Sequence, residues 1–477
     1  MQLVWFKKDL RVFDNQILYK ASLGGQIIPL YIFEPHLWKY SNLSYRHYEF
    51  VKSSLIDLRN ELKKLGSNLF IETGKALNIL EEYKNKYNFN TLWSHEETYN
   101  NWTIKRNYKV KAWCISNNIN WKQFPQNGVI KNISSRCGWS KNWNKRMTEK
   151  IFPKPLKIFT PLVKDSLFPI CKRLGIERNN SCSNFIKGGR NKAMLMLDDF
   201  LFKNGKHYSI NMSSPNTAIK SCSKISAHIS YGNISIKEIY QKTNNRLSNL
   251  KLNYSNDNDS WIKSLNSFSR RLHWHCHFMQ KMEDHPSIEN KNIHSKFNGM
   301  REDHFNEDFF IAWKNGNTGY PFVDACMRCL KSLGWINFRM RAMLVSFASY
   351  HLWLHWKKTA DYLGSLFIDF EPGIHFSQVQ MQSGTTGINS IRIYNPIKQS
   401  IDHDNTGKFI RKWVPEIKDL SNVYIHTPWE VKKNFKGYPQ PIVLEAKARK
   451  YAATQIYRIK NQANFIDEAD TIYKKLS

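Results

Sequence analysis

The first 125 residues alternate between two hydrophobic periods, and this alternation limits the fold more than any other feature. Segments 2–6 (QLVWF), 26–33 (QIIPLYIF), 69–73, 91–95 and 119–124 are short and strand-like. Between the second and third lies 46–65, where Phe50, Leu55, Leu58 and Leu62 recur at roughly helical spacing. A segment cannot satisfy a period of two and a period of 3.6 at once, so strands must alternate with helices. The pattern predicts an α/β domain with a doubly wound parallel sheet, with 119–124 as an edge strand. No G-x-G-x-x-G is present, which excludes the usual dinucleotide fingerprint. After Ser226 only the helical period persists, through 261–281, 318–333, 335–352 and 445–461. The stretch between is broken by Pro125, Gly128, Gly138, Pro153, Pro155, Pro161 and Pro169. The expected organisation is an α/β domain over 1–125, a mostly irregular linker over 126–205, and an all-α domain over 206–477.

Charge narrows the partners. The chain carries 71 Lys+Arg against 39 Asp+Glu, a formal net charge of +32. Clustered cations gain from releasing the counterions of a polyanion, which points to nucleic acid. A composition rich in Lys, Asn and Ile also produces part of that excess by itself. The high charge favours a monomer. Eight Cys stand at 114, 137, 171, 182, 222, 276, 326 and 329 without a disulfide framework, as expected in a reducing, cytoplasmic setting (nucleoid-associated if bacterial). Cys326-x-x-Cys329 lies in an amphipathic helical pattern and reads as buried thiols rather than a redox pair. No signal-like segment opens the chain, and no apolar run reaches the roughly 18 residues of a membrane span.

Several blocks carry chemistry. Ser221-Cys222-Ser223-Lys224-Ile225-Ser226 precedes a helical pattern; alone it reads as a helix cap, while its hydroxyls and backbone N–H groups also suit an anion. Arg270-Arg271-Leu272-His273-Trp274-His275-Cys276-His277 sets three His on a helix. Only His273 and His277 share a face, and polar contacts fit them better than a metal. Residues 318–347 (TGYPFVDACMRCLKSLGWINFRMRAMLVSF), 367–396 (FIDFEPGIHFSQVQMQSGTTGINSIRIYNP) and 408–417 (KFIRKWVPEI) follow in order, and the N-terminus reads VWFKKDLR with Asp14-Asn15 after it. Together these blocks resemble the DNA photolyase/cryptochrome family.

That resemblance implies an all-α C-terminal FAD-binding domain and a light-driven reaction on UV-damaged DNA, in which reduced FAD passes an electron to a pyrimidine dimer. The alternative within the family is a cryptochrome-like blue-light photoreceptor that binds FAD without repair. An antenna chromophore, of folate or deazaflavin type, stays unassigned. No Cys follows Cys329, so no iron–sulfur cluster and no metal are expected. By resemblance, Cys222, Ser223, Lys224, Ile225 and Ser226 hold the FAD pyrophosphate and Tyr208 contacts FAD. Phe268 stands at a flavin-side position. Arg341 pairs with Asp369 beside the ring, where a guanidinium stabilises a reduced, anionic flavin. Asp369 and Glu371 match an Asp-x-Asp whose carboxyls bond the ring edge and ribose. His375 takes the place closest to flavin N5, and its near-neutral pKa suits control of flavin protonation. Trp274 lines the substrate cavity.

The chain also departs from the family's repair pattern. Arg271 replaces a lesion-binding Glu and cannot accept a hydrogen bond. Phe338, expected with Arg271 among the residues that face the cofactor, replaces the Asn or His of repair enzymes, and Ala342 a lesion-contacting Met. The family's electron relay maps its middle Trp to Trp356 and its outer one, loosely, to Trp313. Its innermost position falls on Val379, which breaks the relay nearest the flavin.

Overall fold

The computed structural model describes residues 1–133, 135–161, 166–178, 186–303, 305–431 and 437–476. Five strands form one sheet: β1 (Gln2–Phe6), β2 (Ile27–Phe33), β3 (Phe70–Thr73), β4 (Thr91–His95) and β5 (Asn120–Phe124). Their order is β3-β2-β1-β4-β5, and every neighbouring pair is parallel. Every residue of β1 and β2 is buried. Strands covered on both faces read as continuous apolar runs, which is why these two show no alternation. β5, at the edge, has no buried residue. Pro29 sits inside β2 although it lacks a ladder donor; the β3 register begins only at Leu30. The strand order reverses between β1 and β4, so a crevice opens above their C-terminal ends.

One face of the sheet packs on the Tyr45–Lys64 helix through Phe50, Val51, Leu55, Leu58 and Leu62. The same core takes in Ala227, Tyr231 and Ile368 from the helical half. The two halves therefore share buried apolar surface. Polar ties reinforce this: Arg46 donates to the carbonyls of Leu330, Lys331 and Leu366 at 2.7–3.2 Å. The backbone N–H of Leu10 donates to Tyr231 O at 3.2 Å. Gly232 follows with φ +66, and a Cβ there would lie 2.1 Å from Lys8 O, so only glycine lets the chains approach.

The segment 126–205 is less irregular than its Pro and Gly content suggests. It contains helices at Trp139–Thr148 and Arg190–Asp199, the second running into a π turn at Phe200–Asn204. Trp139, Trp143, Met147, Leu197 and Phe200 join one core with Leu265, Phe268, Leu272 and Cys276 of the long Asp259–Asp284 helix. The i, i+4, i+8 spacing of Trp139, Trp143 and Met147 was the helical signal; the surrounding prolines masked it. Between these helices, Phe152 and Ile158 tie 150–160 to the sheet domain through Asp14 and Leu65.

Gly128 locks this packing, because a Cβ on it would fall 1.9 Å from Trp143 Cδ1. Trp143→Ala is expected to cost about 3–5 kcal/mol in chemical denaturation. Gly128→Ala should destabilise the wild type strongly and the Trp143→Ala background little. Equal penalties in both backgrounds would show that the two residues do not share this contact.

Candidate functional site

Three segments converge on Asp369. Arg341, on the Phe338–Ser346 helix, donates Nη1 to Oδ1 and Nη2 to Oδ2, both at 3.0 Å. Its Nε donates to Ile336 O at 2.8 Å, which fixes the plane of the fork. Ser226 Oγ donates to Asp369 Oδ2 at 2.7 Å, and Ser230 Oγ to its backbone carbonyl at 3.3 Å. Burial opposes the carboxylate charge, yet Arg341 and Ser226 outweigh it, and the pKa of Asp369 lies below the ordinary value. Bidentate, charge-assisted bonds of this kind hold both charge and orientation.

The 222–226 stretch turns between two short helices, Pro215–Ser221 and Ser226–Ser230, with Lys224 in the left-handed region at φ 52. Lys224 Nζ donates to Ile219 O at 2.9 Å. Ser223 Oγ accepts weakly from Ile225 N at 3.4 Å. Ile225 itself is core. Burial pushes the Cys222 thiol up to about 12, and the thiol feels the charges of Lys224, Arg271 and Arg341. Tyr208 is buried, packs on Phe200 and Phe268, and lies beside Arg271 and Cys222. The structure thus gathers Tyr208, Cys222, Ser226, Phe268, Arg271, Arg341 and Asp369 around one region.

Buried polar atoms without partners are scattered over the described residues, and three of them lie on the elements of this region. They are Asn337 Oδ1, Glu371 Oε1 and His275 Nε2. Such orphans are few in native proteins, and each asks for a polar partner. Together with the guanidinium of Arg341, they fit a large polar cofactor with an aromatic ring system, the chemistry of FAD. Arg341 and Asp369 would face the ring, and Tyr208 and the 222–226 turn the remainder.

Two large aromatics on the elements that carry Arg271 and Arg341 are exposed. Trp274 is 47% exposed and Phe338 50% exposed. The Arg271 guanidinium stacks over the Trp274 ring at 4.5 Å. Arg271 Nη2 reaches Met212 Sδ at 3.8 Å, and Asn337, next to Phe338, donates to Met212 O at 3.1 Å. Met212 therefore joins the two exposed aromatics on one face.

Four expected residues are placed differently. His375 donates its Nε2–H to Ala360 O at 2.8 Å. Burial pulls its pKa down to about 4, so it is neutral and does not titrate near pH 7. Glu371 divides its carboxyl: Oε2 lies 3.6 Å from Lys8 Nζ of the other domain, and Oε1 has no partner and stays open to the cofactor. Phe338 stands half exposed rather than walled in with the buried groups. Trp313 is fully buried against Phe310 and Tyr362, so it is not the solvent-facing end of a relay. Trp356 is buried, bonded through Nε1 to Asn292 at 2.6 Å, with Phe376 6.4 Å away and Val379 also buried.

Lys8 and Asn337 gained no role from the sequence. Lys8 follows β1 directly, the place where a parallel sheet presents ligand-facing residues, and that was its one signal. His273 and His277 pack on Trp139 at 5.0 and 6.0 Å, with His273 bonded to Ser140 and His277 to Arg136. Among the described residues, no group of three or more His, Cys, Asp or Glu could hold a metal ion. Cys326 and Cys329 are buried free thiols.

Two family models and several known proteins match this chain. Residues 2–135 match the family model described as DNA photolyase, and 268–458 the one described as the FAD binding domain of DNA photolyase. A deoxyribodipyrimidine photo-lyase of Buchnera aphidicola subsp. Acyrthosiphon pisum is 28% identical over 485 residues, covering 94% of this chain and 95% of its own. Cryptochrome-2 of Arabidopsis thaliana is 26% identical over 503 residues, covering 98% of this chain and 80% of its own. The crystal structure of a bacterial class III photolyase from Agrobacterium tumefaciens superposes with a TM-score of 0.83 at 25% identity, over 97% of this chain and 98% of that one. Both ends match in order and the fold agrees along nearly the whole length, so this chain belongs to the DNA photolyase/cryptochrome family, and its helical half is that family's FAD-binding domain.

Proposed function

We propose that this protein is a blue-light-driven DNA photolyase that splits UV-induced pyrimidine dimers. The observation that carries the reading is the pair of exposed aromatics Trp274 and Phe338, with Arg271 stacked on Trp274 and Phe338 at the start of the helix that carries Arg341, in a chain of net charge +32. Exposed aromatic faces replace the stacking that an extrahelical base loses. Arg271 supplies donors to a phosphate or to base carbonyl oxygens. When bound and reduced, FAD supplies the light-excited electron that opens the dimer and takes it back, with no net redox change. Arg341 keeps a fixed positive charge beside the ring position, and Asp369 holds that charge in place. The chain's Lys and Arg excess attracts the DNA backbone, and the protein acts as a monomer. A light-gathering second chromophore would bind above the C-terminal ends of the strands, where Trp5, Tyr31, Trp38 and Tyr99 line a small cavity of about 50 Å³ that would have to widen to admit it.

A second reading is a cryptochrome-like photoreceptor that binds FAD without repair. Arg271, Phe338, Ala342 and Val379 favour it, since they remove an acceptor, a polar contact, a thioether and a redox-active ring from the family's repair and relay positions. The assay that separates the two is blue-light irradiation of the reduced holoprotein with oligonucleotides carrying either a cyclobutane or a (6-4) dimer. Loss of one dimer supports repair; loss of neither supports the sensor.

Two variants probe the site. Arg341→Ala leaves Asp369 buried and unpaired, a loss of about 3–5 kcal/mol. The purified variant is expected to carry much less FAD, read as flavin absorbance per protein. Unchanged FAD occupancy would remove Arg341 from the cofactor site. Val379→Trp restores an aromatic between Trp356 and the flavin position, and should speed photoreduction in a stopped-light absorbance assay. An unaltered rate would mean electrons arrive by another route.

A further inference from the structure

We infer that Glu371 holds an exchangeable proton beside the cofactor, and that Lys8, from the other domain, balances the charge when the proton leaves. The inference rests on the FAD-binding reading above. Asp369 and Glu371 are two residues apart, ahead of the Pro372–Ser383 helix, and both carboxyls are buried. The like charge that Glu371 feels is that of Glu97, and a neighbouring like charge disfavours ionisation of a second buried carboxyl. The surroundings of Asp369 and Glu371 separate them. Asp369 has both oxygens bound by Arg341 and one also by Ser226. Glu371 is 4% exposed, its Oε2 lies 3.6 Å from Lys8 Nζ, and its Oε1 has no partner. Unlike Asp369, it has no guanidinium to hold its charge. A carboxylic acid there has an O–H to donate, whereas a carboxylate only accepts. Carboxyl pairs whose surroundings drive them apart divide the roles of fixed charge and proton donor.

The groups facing Glu371 agree. Lys8 comes from the loop after β1, with its ammonium over the rings of Tyr99 at 3.9 Å and Tyr231 at 4.7 Å. Glu97, after β4, adds a like charge, and Lys7 and Arg106 engage Glu97 in turn. His275 comes from the Asp259–Asp284 helix, and burial pulls its pKa down to about 4, so it is neutral. Arg11 is committed to the carbonyls of Asp14 and Gly232. Burial pushes Glu371 up to about 7 although Lys8 opposes the shift, and burial lowers Lys8 as well. A small cleft between the domains, with a cavity of about 30 Å³, is lined by Lys8, Thr98, Gln126, Asn127, His275 and Glu371 and opens this carboxyl towards solvent. His375 is pinned and neutral, which leaves Glu371 as the titrating group.

The consequence is a linkage between proton and cofactor. FAD is an anion and becomes more so when its ring is reduced and deprotonated, so it binds best when the buried Glu371 carries no charge. Its affinity should fall as pH rises through the Glu371 midpoint, and bound FAD should raise that midpoint. The test is titration of apoprotein with FAD, followed by flavin fluorescence, from about pH 6 to about pH 8.5. Wild-type Kd is expected to weaken about fivefold across that window, the low end of measured couplings. Glu371→Gln, a neutral isostere, should bind at the acidic-limb strength throughout. Lys8→Met should move the midpoint to higher pH.

An independent readout is the protonated-carboxyl infrared band of wild-type protein labelled with carbon-13 glutamate. It should fade through the same midpoint and be missing from Glu371→Gln. Equal pH dependence in wild type and Glu371→Gln, or no such band in wild type at the acidic end, overturns the inference. Wild-type protein that takes up no FAD at any pH overturns the FAD reading instead, and the infrared band still decides where the proton sits.

Discussion

One buried ion pair organises the functional half of this protein. Arg341 and Asp369 bring together the Phe338–Ser346 helix, the segment ahead of the Pro372–Ser383 helix, and, through Ser226 and Ser230, the turn after the Pro215–Ser221 helix. Each partner alone would be a buried charge with no counter-ion, a state that costs several kcal/mol. Together they fix three otherwise independent backbones at one point. The exposed aromatics, the three orphaned polar atoms and the Lys8–Glu371 contact all take their positions from that point.

The sheet was legible because its strands are short, apolar and bounded by polar loops. The segment 2–6 was read with the ends observed, and 26–33 and 119–124 each differ by one residue at the start. Helical periodicity after Ser226 was equally plain. The 126–205 stretch was harder: proline and glycine punctuate it, yet Trp139, Trp143 and Met147 bury a full stripe against the Asp259–Asp284 helix. Tertiary burial of two Trp outweighed local breaking signals, which no window of sequence could weigh.

At the site, the resemblance to the family implied the Arg341–Asp369 pair, and the two side chains meet as an ion pair. It could not reach the states of His375 and Glu371, because these depend on neighbours far away in the chain. His375 is neutral through burial and its bond to Ala360, and Glu371 faces Lys8 from the opening strand. Trp313 illustrates the same limit: a Trp at a plausible spacing reveals nothing about whether solvent reaches it, and here it is wholly enclosed.

The glycine at 232 has a wider consequence. It allows the helical half to press its backbone against Lys8 and Asp9, while Tyr231 and Ala227 complete the core beneath the sheet. Cut at the linker, each piece would present a wet scar of apolar and half-paired polar groups, and the flavin chamber would lose a wall. The two halves are thus one inheritance: recombination that exchanged either against a distant relative would have to carry the matching seam with it.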